Sequence, residues 1–144
     1  MDYIKIRFGD AFDHYKLKSE KSIDDMFQSL NTMFRMEKST WKPHVDIYET
    51  EEDIVVKVSM AGVDKEDMEI EISNKAIKIS GKRTGGTPRE KVTYRLAEIQ
   101  YGAFERVLFL PCAIDTDKVT ASYTNGFLHM DLAKLPAGQD SDSI

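Results

Sequence analysis

Val119-Thr-Ala-Ser-Tyr-Thr-Asn-Gly-Phe-Leu-His-Met-Asp-Leu132 contains two runs in which apolar and polar residues alternate, separated by Asn125-Gly126. Such alternation is typical of a β-strand with one buried face. Asn-Gly favours a type I′ turn, because that turn requires positive φ at both of its central residues. We therefore predict a β-hairpin at this point of the chain.

The same alternation recurs upstream of this hairpin. Turn-forming residues such as Gly62 and Asn74 separate the alternating runs. Several short strands at this spacing indicate an all-β fold, an immunoglobulin-like antiparallel β-sandwich, over residues 42–134. The predicted upstream strands are Val45–Ile47, Ile54–Met60, Met68–Ile72, Ile77–Ile79 and Phe104–Leu110.

Residues 1–41 have a different character and are predicted to form an N-terminal arm with an amphipathic helix over about 22–36. Ser22 and Asp25 resemble a capping box at its start. The helix would bury too little apolar surface alone to offset its ordering entropy, so it needs another surface. That surface is a partner arm, a client protein or the chain's own sandwich. We predict client binding by the apolar residues of this arm: Phe12, Ile23, Met26, Phe27, Leu30, Met33 and Phe34.

Length and composition argue against several classes of protein. The 144 residues fit one domain, followed by a polar tail at 135–144. The net charge of −5 argues against nucleic-acid partners, since phosphate binding needs cations. The single cysteine, Cys112, excludes an internal disulfide, and no apolar run approaches the length of a membrane span. We expect a cytoplasmic protein without a membrane span.

No pattern of residues predicts catalysis. His14, His44 and His129 lack a second ligand at metal-binding spacing. The glycine-rich segment 81–86 lacks the order of a phosphate loop, and the acidic run 49–53 lacks the pattern of a calcium loop. We therefore expect no enzyme activity, no catalytic residues, no metal and no cofactor.

Residues 42–134 resemble the α-crystallin domain of the small heat-shock proteins in its bacterial form. The order and spacing of several motifs carry the resemblance. Ala61 replaces a common proline of the family, and Ile99 stands where the family often has arginine. The family's tail motif Ile-x-Ile is represented only by Ile144. The matching stretches are Trp41-Lys-Pro-His-Val-Asp-Ile-Tyr-Glu-Thr50 with Ile54-Val-Val-Lys-Val58, Ala61-Gly-Val-Asp-Lys-Glu-Asp-Met-Glu-Ile70, Ile77-Lys-Ile-Ser-Gly-Lys-Arg83, Tyr101-Gly-Ala-Phe-Glu-Arg-Val-Leu-Phe-Leu-Pro111 and Ala121-Ser-Tyr-Thr-Asn-Gly-Phe-Leu128.

The resemblance implies an ATP-independent chaperone, a holdase that binds unfolding proteins. It also implies assembly from homodimers, which can associate into larger homo-oligomers. It also implies a groove that receives a tail motif, and a loop strand, Val92–Leu96, that pairs with a partner's strand. The alternative for Val92–Leu96 is an edge strand within one chain. The alternative function is a co-chaperone-like β-sandwich interaction module. The implied groove residues are Met68, Ile70, Ile72, Val119, Ala121 and Tyr123, and the implied dimer-interface residues are Val45, Ile47, Tyr94, Leu96 and Arg106.

Overall fold

The computed structural model describes residues 3–8, 15–19, 40–85 and 90–136. These residues form two antiparallel sheets with strand orders β2-β1-β5-β6-β7 and β3-β4-β9-β8. The predicted antiparallel β-sandwich is confirmed, whereas the predicted helix at 22–36 lies outside the described residues. The strands are β1 (Tyr3–Arg7), β2 (Tyr15–Ser19), β3 (Val45–Glu49), β4 (Asp53–Ser59), β5 (Met68–Ser73), β6 (Ala76–Arg83), β7 (Gly102–Phe109), β8 (Ile114–Thr124) and β9 (Phe127–Lys134).

The core lies between the sheets and is built from the inward-facing residues of each strand. Because side chains alternate across a strand, every second residue of β4, β5 and β9 reaches this layer. Burial of each large aliphatic side chain contributes about 1.5–3 kcal/mol relative to exposure. Side chains with no exposed surface include Ile54, Val56, Val58, Ile70, Ile72, Leu128, Met130 and Leu132.

The hairpin of β8 and β9 has the predicted turn. Asn125 has φ 55° and Gly126 has φ 81°, the positive values that a type I′ turn requires. Thr124 pairs with Phe127 directly across it. β8 begins earlier than predicted, at Ile114, and its pairing shifts register between Ile114 and Val119.

Two strands near the N-terminus were not predicted from the sequence. β1 pairs with β5 on one side and with β2 on the other, both antiparallel. Residues 3–7, which lie in the predicted arm, therefore extend the five-stranded sheet of the sandwich.

Trp41 anchors the chain where the predicted arm ends and the sandwich begins. Its side chain is buried, its indole N–H donates to Gly102 O at 3.0 Å, and its ring centroid lies 5.3 Å from that of Phe104. The Arg83 guanidinium stacks over the indole at 4.1 Å, a favourable cation–π geometry. No helix in the part of the chain that the structure describes is both long enough and apolar enough to cross a bilayer.

Candidate interaction surfaces

The six predicted groove residues lie on β5 and β8, two strands of different sheets that contact each other. Met68, Ile70 and Ile72 project inward from β5, and Val119 and Ala121 project inward from β8; all five are buried. Tyr123 of β8 is partly buried and packs against the same core cluster. Here the two sheets meet along β5 and β8, which is the location that the resemblance implies for a groove.

In the described residues, the chain's own first strand lies along β5 at this position. Ile4 lies opposite Ile72 and Ile6 lies opposite Ile70 in the antiparallel register of β1 and β5. Ile4 is 1% exposed and Ile6 is 0% exposed. The segment Ile4-Lys5-Ile6 thus presents two isoleucines, one residue apart, to the core.

Opposite charges line the outer face of the contact between β1 and β5. Lys5 Nζ lies 3.0 Å from Glu69 Oε1 and 3.8 Å from Glu71 Oε1, and Arg7 Nη2 donates to Glu69 Oε2 at 2.5 Å. The hydrogen bond to Glu69 raises the pKa of Lys5. Burial alone would raise the pKa of Glu69, but the hydrogen bonds from Arg7 and Lys5 hold that pKa below its ordinary value.

Aromatic side chains close the end of the groove beside β1. Phe8 follows β1, is 3% exposed, and has its ring centroid 6.4 Å from that of Tyr123. The Tyr123 hydroxyl lies 2.7 Å from Met60 O and 2.8 Å from Val63 O, so its single proton is donated to one of these carbonyls at a time. Burial raises the pKa of Tyr123 above its ordinary value. Tyr123 therefore ties β8 to the turn that follows β4.

The connection between β6 and β7 exposes several apolar side chains. Its described residues, 84–85 and 90–101, contain no strand, although Val92–Leu96 alternates as a strand does. Leu96 is 75% exposed and Ile99 is 69% exposed. The other large apolar side chains on this connection, Val92, Tyr94 and Tyr101, are exposed as well. We call residues 90–101 the β6–β7 loop.

β3 is the outermost strand of the four-stranded sheet on one side. Val45 packs partly against the core, whereas Ile47 and Tyr48 are exposed. An outermost strand offers main-chain N–H and C=O groups that can pair with another chain. β3 therefore provides a sheet edge. The β6–β7 loop provides a separate segment with exposed apolar side chains.

Arg106 forms a hydrogen bond with the main chain of Pro43 in the same chain. Its Nη1 donates to Pro43 O at 3.0 Å, which ties β7 to the segment just before β3. Arg106 therefore lies close to the start of β3, where Val45 is found. Tyr94 and Leu96 lie instead on the exposed β6–β7 loop.

The predicted client-binding residues, Phe12 and those of 23–34, lie outside the described residues. Sequence analysis missed Ile4, Ile6 and Phe8, which pack in the same core cluster as the predicted groove residues. The alternation in Tyr3-Ile-Lys-Ile-Arg7 could have predicted a strand, but its five residues contain little to distinguish a strand from a charged terminus.

Sequence comparisons match this chain to one family and to heat-shock proteins of different organisms. Residues 46–144 match the family described as Hsp20/alpha crystallin family. The chain is 32% identical to small heat shock protein C2 of Rickettsia felis over 119 residues, covering 81% of this chain and 77% of that protein. It is 30% identical to heat shock protein 16 of Schizosaccharomyces pombe over 104 residues, covering 71% of this chain and 73% of that protein.

Solved structures show the same architecture. HspA from Xanthomonas axonopodis superposes with a TM-score of 0.60 at 31% identity, covering 67% of this chain and 97% of that chain. A small heat-shock protein from Xylella fastidiosa, described as revealing a distinct high order structure, also has a TM-score of 0.60 at 31% identity. That match covers 68% of this chain and 90% of the Xylella chain.

Proposed function

This chain belongs to the Hsp20/alpha crystallin family, and from that premise we propose that it is an ATP-independent chaperone, a holdase. It would bind unfolding proteins during stress and prevent their aggregation. The observation that carries the proposal is the family match over residues 46–144, which includes almost all of the sandwich from β3 to β9. Relatives named as small heat shock proteins support it.

The physical requirements of a holdase agree with this sequence. Binding to the unfolded state alone shifts an unfolding equilibrium by mass action, so neither nucleotide hydrolysis nor a cofactor is needed. The arm supplies phenylalanine and methionine side chains, and flexible methionines adapt to varied apolar surfaces. The excess of acidic residues gives a net charge of −5 that would help keep complexes soluble.

We also propose that the chain forms homodimers through the β6–β7 loop. Val92–Leu96 of one protomer would pair with β3 of its partner and extend that sheet by a strand, a common mode of recognition. Two observations support this pairing: Tyr94 and Leu96 are 57% and 75% exposed, and β3 is an outermost strand. Arg106, which holds the segment before β3, would position the receiving edge.

Native mass spectrometry of the full chain with a heat-unfolding client tests the proposed function. A holdase gives a range of complexes, with several chains per client, and no dependence on nucleotide. A co-chaperone-like module instead gives one stoichiometry with one folded partner and ignores the heated client. The second result would replace the holdase with the interaction module.

A further inference from the structure

We propose that Arg83, the last residue of β6, is a positioning residue for the dimer contact. It holds the end of the β6–β7 loop and the chain segment that leads into β3 in one fixed arrangement. The proposal deepens the homodimer pairing proposed above and rests on it. We call residues 40–43, which precede β3, the junction segment.

The Arg83 guanidinium contacts three separate parts of the chain. Its Nη1 donates to Gln100 O at 2.8 Å, at the end of the β6–β7 loop. Its Nε donates to Ala61 O at 2.9 Å, in the turn that follows β4. Its Cζ lies 4.1 Å from the centroid of the Trp41 ring. A planar guanidinium can donate from its edge while its face stacks on an aromatic ring, a geometry that the ammonium of lysine does not offer.

The junction segment is fixed to the start of β7, next to these contacts. Trp41 N donates to Ala103 O at 3.2 Å, and Glu105 N donates to Trp41 O at 3.4 Å. The Trp41 indole donates to Gly102 O, and Gly102 lies opposite Arg83 in the register of β6 and β7. The end of the β6–β7 loop, the start of β7 and the junction segment therefore meet around Arg83.

Both surfaces of the proposed dimer contact lie close in sequence to Arg83 or to its partners. The pairing segment Val92–Leu96 ends shortly before Gln100, and β3 begins shortly after Trp41. All of residues 90–101 are exposed, so burial does little to restrict the directions that the loop can take. Fixing a segment in place before it binds reduces the ordering cost of binding. Arg83 therefore strengthens the dimer by positioning the loop relative to the segment before β3.

A purely structural role for Arg83 predicts a different outcome. Ala61 follows β4 of the four-stranded sheet and Gln100 precedes β7 of the five-stranded sheet, so Arg83 also links the two sheets. Loss of that link alone would lower the free energy of unfolding and leave the dimer dissociation constant unchanged. Trp41 is the chain's single tryptophan, so its fluorescence emission reports directly on the ring that Arg83 covers.

Sedimentation of full-length variants over a dilution series, with tryptophan emission recorded at each concentration, tests the proposal. Arg83→Met removes the donors and keeps an unbranched side chain beside the indole. Arg83→Lys also keeps the charge, and it carries the test if Arg83→Met does not fold. Lys82→Met is the matched control, because it removes one positive charge from an exposed position on the same strand.

The dimer dissociation constant should rise at least about fivefold in both Arg83 variants, because neither can form the two hydrogen bonds and the stack together. Lys82→Met should stay within about twofold of wild type, as a surface substitution does. The Trp41 emission of the wild-type chain should shift on dilution with the same midpoint as dimer dissociation. Arg83→Met should lose that shift, because its side chain no longer joins the loop to the indole.

Wild-type dissociation constants in the Arg83 variants would overturn the positioning role, and so would a wild-type Trp41 emission that does not follow dissociation. A loop variant, Tyr94→Ser with Leu96→Ser, separates this proposal from the pairing itself. If the loop variant weakens the dimer and the Arg83 variants do not, the positioning role alone fails. If the loop variant leaves the dissociation constant unchanged, the pairing fails and the positioning role fails with it.

Discussion

Gly81 of β6 lies against the main chain of Asp67, so closely that a Cβ atom on Gly81 would stand 2.0 Å from the Asp67 carbonyl oxygen. The same atom would stand 2.8 Å from the Phe104 ring. This contact gives a physical reason for the glycine in the stretch Ile77-Lys-Ile-Ser-Gly-Lys-Arg83. Only a residue without a side chain lets the turn before β5 approach β6.

We expect Gly81→Ala to lower the free energy of unfolding by at least about 1–3 kcal/mol, since the backbone of Asp67 must move to accept the methyl group. Urea denaturation at one fixed protein concentration measures this loss. Gly102→Ala is the matched control: Gly102 has φ +95°, but a Cβ there meets nothing within 4 Å. The Gly102→Ala substitution therefore imposes backbone strain without a steric clash. Equal losses in the two variants would contradict the steric explanation.

The stabilising effect of Glu69 should depend on pH. The folded-state pKa of Glu69 is lowered, so its stabilisation is complete above the unfolded value of about 4.3 and is lost as pH falls through the folded value. The pKa of Lys5 is raised, so its contribution is lost only as pH rises past about 10.4.

We therefore expect Glu69→Gln to reduce the unfolding free energy by roughly 0.5–1.5 kcal/mol at pH 7, a modest value because these groups are partly exposed. The difference from wild type should shrink as pH falls below the unfolded pKa of about 4.3, because the folded-state pKa of Glu69 is lowered. Glu71→Gln, whose carboxylate lies 3.8 Å from Lys5 Nζ, should have a smaller effect. A Glu69→Gln difference that is constant from pH 3 to pH 7 would argue against ionic docking of β1.

Lys78 and Glu105 form a buried ion pair on β6 and β7. Lys78 Nζ lies 3.5 Å from Glu105 Oε1, and the two side chains are 10% and 4% exposed. Removing one partner leaves a buried charge, so Glu105→Ala should cost about 3–5 kcal/mol. The double variant Lys78→Met/Glu105→Leu should recover most of that loss in the same denaturation measurement. If the double variant is no more stable than Glu105→Ala, the unpaired charge of Lys78 is not the cause of the stability loss.

Substitutions in the β6–β7 loop should weaken dimers without unfolding the sandwich. Tyr94→Ser with Leu96→Ser removes two exposed apolar groups, so stability should change by less than about 0.5 kcal/mol. The dimer dissociation constant should rise at least about tenfold, equivalent to 1.4 kcal/mol. Sedimentation over a dilution series measures it. Phe127→Ser, 46% exposed on β9, serves as control. An unchanged dissociation constant for the loop variant rules out the proposed pairing.

The strands that sequence analysis predicted correctly are those whose alternation is long and regular. Buried side chains recur at every second position from Ile54 to Val58 in β4 and from Leu128 to Leu132 in β9, and Asn125-Gly126 fixes the hairpin of β8 and β9. The start of β8 was missed because the polar residues Asp115–Lys118 interrupt the alternation where the register shifts. β1 was missed because five residues carry too little pattern, and its burial comes from tertiary contact with Ile70 and Ile72.

The residues of the candidate surfaces could be predicted from the sequence only in part. Alternation in β5 and β8 indicates which residues face the core, but a groove at these residues is implied only by the family resemblance and stays a prediction. Local sequence does not encode which strand lies along β5, and Ile4 and Ile6 were therefore overlooked. Val92–Leu96 shows the converse: alternation indicates that a segment can pair, but in the part of the chain that the structure describes this segment forms no strand.

The role of the arm calls for substitution in the full chain, because deleting residues 1–41 would also remove β1 and Trp41 from the sandwich. We expect replacement of four apolar arm residues by serine to remove client binding while the sandwich stays folded. The variant carries Ile23→Ser, Phe27→Ser, Leu30→Ser and Phe34→Ser. The matched control replaces four polar arm residues, Asp24, Gln28, Asn31 and Arg35, by serine.

Light scattering of a heated client protein without nucleotide is the most direct test of the holdase. The wild-type chain and the polar control should suppress the rise in scattering at near-stoichiometric ratios, and the apolar variant should lose at least about fivefold in potency. A client that scatters as strongly with the wild-type chain as with an inert protein at equal concentration would contradict the proposed function.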